Sequence, residues 1–241
     1  MERYSRFARM MLPDEQYGSF VVVKRGMLPT LRVKQNMAAW FRFNKGLHVD
    51  SNNLIRQWGD ASGNGRHLKQ ATETNRPSLQ SDGSILFDGV DNYLKCDAFT
   101  LNQPTTVYIL VKQVTFTAAD VLHDGNTLTL LRLLQDGSSP NLAIRINSTV
   151  GSVQIPLGEY GIAASVFNGD SSLLQVNNGA PATGDVGATS GAGGFTLGSR
   201  ADATQFANIQ VKEVLIYAAA HDTQERALVI DYLAKVGGLA L

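Results

Sequence analysis

Cysteine occurs once in this chain, at Cys96, so no intramolecular disulfide can form and packing must hold the fold together. A buried structural thiol is the expected state of that residue. Histidine is also scarce, and His48, His67, His123 and His221 all sit in polar contexts that read as surface or loop-bonding positions. No H-E-x-x-H, no cysteine pair and no G-x-S-x-G occurs, which leaves zinc-protease and serine-hydrolase chemistry without a motif. Gly191–Ala192–Gly193–Gly194 lacks the lysine and following helix of a phosphate-cradling loop. No apolar run reaches the roughly 18 residues that span a bilayer. Met10–Met11–Leu12 is too short for the core of a signal peptide. No membrane partner is therefore expected, and assembly in a cytoplasm is. A formal net charge of zero argues against a nucleic-acid partner.

Charged residues make up only 17% of the chain and hydrophobic ones 44%, a balance that supports a sizeable core and excludes a disordered chain. The charge is uneven. Residues 1–36 carry seven basic side chains against Glu2, Asp14 and Glu15, a net of +4, so the remainder sits at −4. This leading segment shows no sustained period, and Pro13, Gly18, Gly26 and Pro29 interrupt it. It reads as an extended arm.

From Met37 the texture changes to short apolar runs between turn residues, the rhythm of an all-β fold. Thr105–Val111 (TTVYILV) has the β-branched and aromatic content of a central strand. Further strands are predicted at Thr127–Leu134, Leu142–Asn147, Ser152–Ile155, Ile162–Phe167, Leu173–Val176, Phe195–Leu197 and Ile209–Tyr217. Asn-Gly and Asp-Gly pairs between them tolerate the positive φ of tight turns. Gly179–Gly194 reads as a long loop of small residues. One helix is predicted at His221–Val236, with Asp222 and Glu225 at capping-box spacing, an apolar stripe of Leu228, Val229, Tyr232 and Leu233, and Gly237–Gly238 as a stop. The absence of βαβ alternation argues against a parallel nucleotide-binding sheet.

The stretch WGDASGNGRHL (58–68) reads as an ordered loop. Trp58 would plug the core edge, Asp60 and Ser62 would bond nearby backbone N–H groups, and Gly63, Asn64 and Gly65 would make the turn. With AAWFRFNKGLHVDSNNLIRQWGDASGNGRHLKQ (38–70), Arg76–Pro77 and ILFDGVDNYL (85–94), the chain resembles the laminin-G-like branch of the concanavalin A-like lectin/glucanase superfamily. VFNGDSSLLQVNNG (166–179), FTLGSR (195–200) and VKEVLIYAAAHDTQERALVIDYLAKVGGL (211–239) continue the likeness in order.

The resemblance implies a two-sheet antiparallel jelly-roll sandwich over residues 37–241 with a short C-terminal helix; residues 1–36 fall outside the family pattern and form the N-terminal extended arm. It implies a bacteriophage virion protein, a head decoration or tail-surface component among capsid or tail subunits, present in multiple copies or as a homo-oligomer. Arg3, Arg6, Arg9, Lys24 and Arg25 would then dock the arm electrostatically, with Phe7, Tyr17, Phe20 and Val22 as apolar anchors. A carbohydrate-binding module for host surface glycans is the alternative, with Trp40, Trp58, Tyr93, Tyr160 and Tyr217 as the aromatic candidates.

Glucanase relatives need two carboxylates about 5–5.5 Å apart for retaining chemistry. Past residue 36 only Glu73, Glu159, Glu213 and Glu225 are glutamates, and none has an acidic neighbour at strand spacing. Asp120 and Asp124 have an i, i+4 spacing, but the chain there reads as a strand entering a turn. The chain is expected not to be an enzyme. Calcium is the one cofactor the resemblance raises, since Asp82, Asp88, Asp91 and Asp97 crowd one region. FDGVDNYL reads equally as a hairpin with Asp at its turn, and no cofactor is expected.

Overall fold

The computed structural model describes residues 29–126 and 130–241. Its first strands are β1 (Met37–Phe41), β2 (Leu47–Val49), β3 (Ile55–Trp58), β4 (Leu68–Lys69), β5 (Ser78–Leu79) and β6 (Ile85–Asp88). Then come β7 (Leu94–Cys96), β8 (Thr105–Gln113), β9 (Val121–Asp124), β10 (Arg132–Gln135), β11 (Asn141–Arg145) and β12 (Thr149–Gln154). The chain continues through β13 (Tyr160–Phe167), β14 (Ser172–Val176), β15 (Ala182–Gly184), β16 (Thr196–Leu197), β17 (Asn208–Tyr217) and the helix α1 (Thr223–Gly237). They form two antiparallel sheets, as the all-β strand pattern and the sandwich implied by the resemblance lead one to expect. One sheet runs β15-β14-β13-β8-β17-β6-β5, with β1 also on β17; the other runs β12-β11-β10-β9-β16-β7-β4-β3-β2.

The first sheet is apolar on both sides. Along β8, Val107, Ile109 and Val111 enter the core between the sheets, while Tyr108 and Leu110 face α1. Strand side chains alternate between faces, so a strand buried on both needs a layer on each. β17 does the same after a register break between Val211 and Glu213, which moves its core-facing positions from Ile209 and Val211 to Val214 and Ile216. The helix supplies the outer layer through Val229, Ile230, Tyr232 and Leu233. Its ends are fixed as the sequence predicts: Asp222 accepts from the Glu225 N–H at 2.8 Å, Glu225 accepts from the Asp222 N–H at 3.0 Å, and Gly238 caps with φ 68°. Leu228 is only half-buried, and Ile230 takes its expected place in the stripe. Among the described residues no helix is long and apolar enough to cross a membrane.

Three local expectations change. Residues 29–36 are not free of the sandwich: Leu31 is buried against α1, and the Tyr217 hydroxyl donates to the Val33 carbonyl at 2.9 Å. FDGVDNYL is not a hairpin, because β6 pairs with β17 and β5 while β7 pairs with β16 and β4. The Asp88–Gly89 turn carries the chain from one sheet to the other, with Asp88 Oδ1 accepting from the Val90 N–H at 2.9 Å. Within the loop expected at Gly179–Gly194, Ala182–Gly184 forms an edge strand on β14.

Gly198 tests how tightly the two sheets close. It has φ 90°, and a Cβ there would strike the ring of the fully buried Phe87. Gly198→Ala is expected to cost about 3 kcal/mol, from overpacking plus left-handed backbone strain. A lowered urea midpoint at unchanged slope is the expected result.

Candidate functional site

The loop after β3 is built as the sequence predicts. Trp58 is buried, and its indole N–H donates to the Arg42 carbonyl at 3.0 Å. Asp60 organises the turn: Oδ1 accepts from the backbone N–H of Trp40 (2.9 Å) and Ser62 (2.8 Å), and Oδ2 accepts from the Ser62 hydroxyl (2.8 Å) and the Arg66 N–H (3.0 Å). Asn64 Nδ2 donates to the carbonyls of Met37 and Ala38, both at 3.0 Å, which ties the loop to β1. Gly63 and Gly65 take φ 93° and 72°. The loop is therefore a brace for an edge strand. The arm residues Arg3, Arg6, Phe7, Arg9, Tyr17, Phe20, Val22, Lys24 and Arg25 lie outside the described residues.

The outer face of the second sheet differs from its helix-covered counterpart. One cross-strand row runs His48–Gln57–Lys69–Lys95–Thr196–Asp124. The Leu133–His123 pair sets Arg132 beside Asp124, and Arg132 pairs with Arg145, which pairs with Thr149. A polar residue thus stands in this row on every strand of the sheet. The next row inward is Leu94–Leu197–His123–Leu133–Ile144–Val150 and faces the core.

At the centre, residues 198–207 fold over the polar row. Lys95 Nζ donates to the Ala201 carbonyl at 2.9 Å, and the Ala201 N–H donates to Asp124 Oδ2 at 3.2 Å. Burial pushes the Asp124 carboxyl up to about 7, against the pull of the Gly125 and Ala201 N–H groups and of Arg132 and Arg200. The Nε–H groups of Arg132 and Arg200 are buried without a hydrogen-bond partner.

On the β2–β4 flank the face is open. Two adjoining cavities, about 240 and 250 Å³, share Arg56. His48, Asp50 and Arg76 line one, with Gln57, Lys69 and Gln70 in the other. Arg76 is fixed by Asp50 at 3.1 Å and by the carbonyls of Gln70 and Ala71. Lys69 pairs with Asp97 at 2.6 Å. Such planar amides and guanidiniums, with paired charges, suit a ligand rich in hydroxyl groups. Sequence reasoning missed this site because its members meet only once the strand register is known.

Other candidates fall elsewhere. Asp82 receives Ser84 and Lys212, Asp88 holds its turn, Asp91 accepts from the Asn92 side-chain amide and Asp97 holds Lys69, so the four aspartates raised for calcium serve separate structural roles. Among the described residues no group of three or more His, Cys, Asp or Glu could hold a metal. Trp58 and Tyr217 are buried, and the Tyr160 ring carries Lys212 at 4.2 Å and Lys112 at 5.0 Å. The Trp40 indole donates to Glu213, and Tyr93 lies 6.3 Å from Phe206. Two histidines expected at the surface are buried: His221 bonds the Tyr108 hydroxyl at 2.8 Å, and His123 packs on Phe195 at 5.3 Å within the core row. Cys96 is buried as expected, its thiol bonded to the Arg66 carbonyl, and burial pushes the thiol far up.

No family model matches the sequence, and no curated protein is similar to it. Solved structures share the fold. The Trypanosoma rangeli sialidase in complex with sialic acid superposes with a TM-score of 0.61 at 14% identity, over 87% of this chain and 34% of that one. An arabinofuranosidase complexed with arabinofuranosyl-alpha-1,2-xylobiose gives 0.60 at 16% identity, over 76% and 51%. The chain thus spans about a third of the sialidase and half of the arabinofuranosidase. These neighbours overturn the expectation that the chain is not an enzyme, because sandwiches of this shape occur within glycosidases. A search for acids paired along one strand misses those that meet across elements. Asp124 on β9 and Asp202 after β16, for example, both act on the Arg132 guanidinium.

Two buried groups give opposite pH signatures. Asp124 binds its proton more tightly folded than unfolded, so its contribution falls as pH rises from its ordinary value of 3.8 to about 7. Burial drives His123 from 6.5 down to about 3, so its contribution is lost as pH falls from 6.5 towards 3. Asp124→Asn should therefore gain on the order of 2 kcal/mol relative to wild type between pH 4.5 and 7.5. His123→Phe should gain a similar amount, about 2 kcal/mol, in the opposite direction, between pH 7.5 and 4.5. Urea midpoints at the two pH values read both.

Proposed function

We propose that this chain is a carbohydrate-facing sandwich module displayed on a bacteriophage particle, as a head decoration or tail-surface component in contact with capsid or tail subunits. One observation carries the glycan part of the reading: the polar row and its twin cavities occupy the sheet face that the helix leaves open. Hydroxyl-rich ligands are held by planar polar groups in fixed positions, and Arg76, Gln57 and Gln70 are such groups. The sialidase and arabinofuranosidase neighbours, solved with sialic acid and with arabinofuranosyl-xylobiose, lend support from the fold they share.

The display part rests on the family resemblance and on geometry. Residues 29–36 run along the helix-covered side, where Leu31 and Val33 pack, away from the open row. A module attached on one side and presenting the other is suited to a symmetric particle, where many copies add weak contacts into avidity.

The test is retention on a glycan array by the full chain, with release of sugar followed in parallel. Arg56→Ala combined with Gln57→Ala should lower retention at least tenfold, and Glu159→Gln, on an exposed turn outside this face, should leave it unchanged. A flat array response, or retention unaffected by the double substitution, contradicts the glycan reading. Deletion of residues 1–28 should leave the sandwich folded and prevent its incorporation into particles. Undiminished occupancy would contradict the attachment reading.

A further inference from the structure

A second cavity lies on the other side of the molecule. It has about 190 Å³ of space, at the C-terminal end of α1, against β1 and β17. That is about six waters' worth at roughly 30 Å³ each, enough for a compact molecule and too little for an oligosaccharide. Its floor is the carboxyl of Glu213, which is buried and fully engaged. Oε1 accepts from the Trp40 indole N–H at 2.7 Å and from the Tyr232 hydroxyl at 2.6 Å, and Oε2 accepts from the Phe43 N–H at 3.1 Å. Burial pushes this carboxyl up from its ordinary value, against the pull of the Tyr232, Trp40 and Phe43 donors and of Arg42.

The walls are of two kinds. Phe43, Val236 and Pro29 supply apolar surface. Arg42, Lys45 and Lys235 supply positive charge, and their pairing is uneven. Lys235 is bound to Asp231 at 2.6 Å, whereas Arg42 and Lys45 take part in no ion pair within 4.0 Å among the described residues. Arg42 is also held in place, with its guanidinium carbon 4.5 Å from the centroid of the Trp40 ring. A half-buried, oriented guanidinium that makes no close ion pair and acts on the Glu213 carboxyl only at longer range, beside an exposed ammonium and an apolar wall, is complementary to one kind of ligand.

We propose that this cavity binds a small organic monoanion, its acidic head between Arg42 and Lys45 and its apolar body against Phe43 and Val236. Arginine grips a planar acidic head with two parallel N–H bonds, and the ammonium adds a third donor. The site shares no residue with the twin cavities of the open face, so it stands or falls independently of the glycan reading.

Benzoate is the probe and benzamide its uncharged counterpart, titrated into the full chain and followed by tryptophan emission, which senses Trp40, and by ligand-observed NMR. Benzoate should bind saturably, and benzamide at least tenfold more weakly. Arg42→Gln should weaken benzoate at least tenfold, and Lys45→Gln, at an exposed position that cannot threaten folding, at least threefold. Arg56→Ala should leave it unchanged. Inorganic phosphate should fail to displace benzoate at equal concentration, because it cannot use the apolar wall. No saturable benzoate binding, equal affinity for benzamide, unchanged affinity in Lys45→Gln, or displacement by phosphate would each overturn the proposal.

Discussion

One sheet of this sandwich is apolar on both faces, and that forces the chain to supply a third layer. Val107, Ile109 and Val111 on β8 fill the space between the sheets, while Tyr108 and Leu110 on the same strand would otherwise face water. Fully burying an aliphatic or aromatic side chain contributes about 1.5–3 kcal/mol, so leaving this face bare would forgo a large share of the net stability. The helix closes it, and residues 29–36 extend the cover through Leu31. The opposite sheet has far less to cover outside, a small buried cluster of Val121, Leu134 and Ala143. Its outer row is polar, covered by residues 198–207 at the centre and open on the β2–β4 flank, so one side of the molecule is closed by the helix and the other is exposed along that flank.

Inside, an aromatic chain links loop, edge and centre. Trp58 packs on Phe41 at 5.8 Å, Phe41 on Phe195 at 6.5 Å, and Phe195 on His123 at 5.3 Å. The Asp60 turn fastens the strand that carries Phe41, so the loop at 58–68 contributes to packing through the position of β1. The buried polar groups divide by their surroundings. Glu213 is engaged by three donors, whereas Asp124 receives two backbone N–H groups beneath residues 198–207 on the outer side of the second sheet, where burial holds its proton near neutrality. Buried carboxyls with raised pKa values are the raw material of acid–base chemistry. Here they sit on opposite sides of the sandwich.

Local chemistry in the sequence carries much of the architecture. β8 and β17 show in their β-branched content, and the Asp222–Glu225 cap and Gly238 stop delimit α1 within two residues. The turn at Asp88–Gly89 is equally local, but the same turn chemistry serves a hairpin or a crossover, and only pairing with β17 and β16 tells them apart. His123 was hidden by parity: its inward direction follows from its register against Leu133 and Leu197, beside a bulge. The candidate face was hidden for the same reason, since His48, Gln57 and Lys69 are dispersed along the chain and meet only through strand pairing. Both cation-lined sites, likewise, combine residues from distant segments.

The two-sided arrangement is tested most directly by solvent relaxation from a soluble paramagnetic probe, read residue by residue in NMR spectra of the full chain. His48, Gln57 and Lys69 should lose intensity strongly, while Tyr108, Leu110 and Leu215 beneath the helix keep theirs. Strong loss at Tyr108 and Leu215, or protection of His48 and Lys69 in the free protein, would contradict a sandwich closed on one side and open on the other.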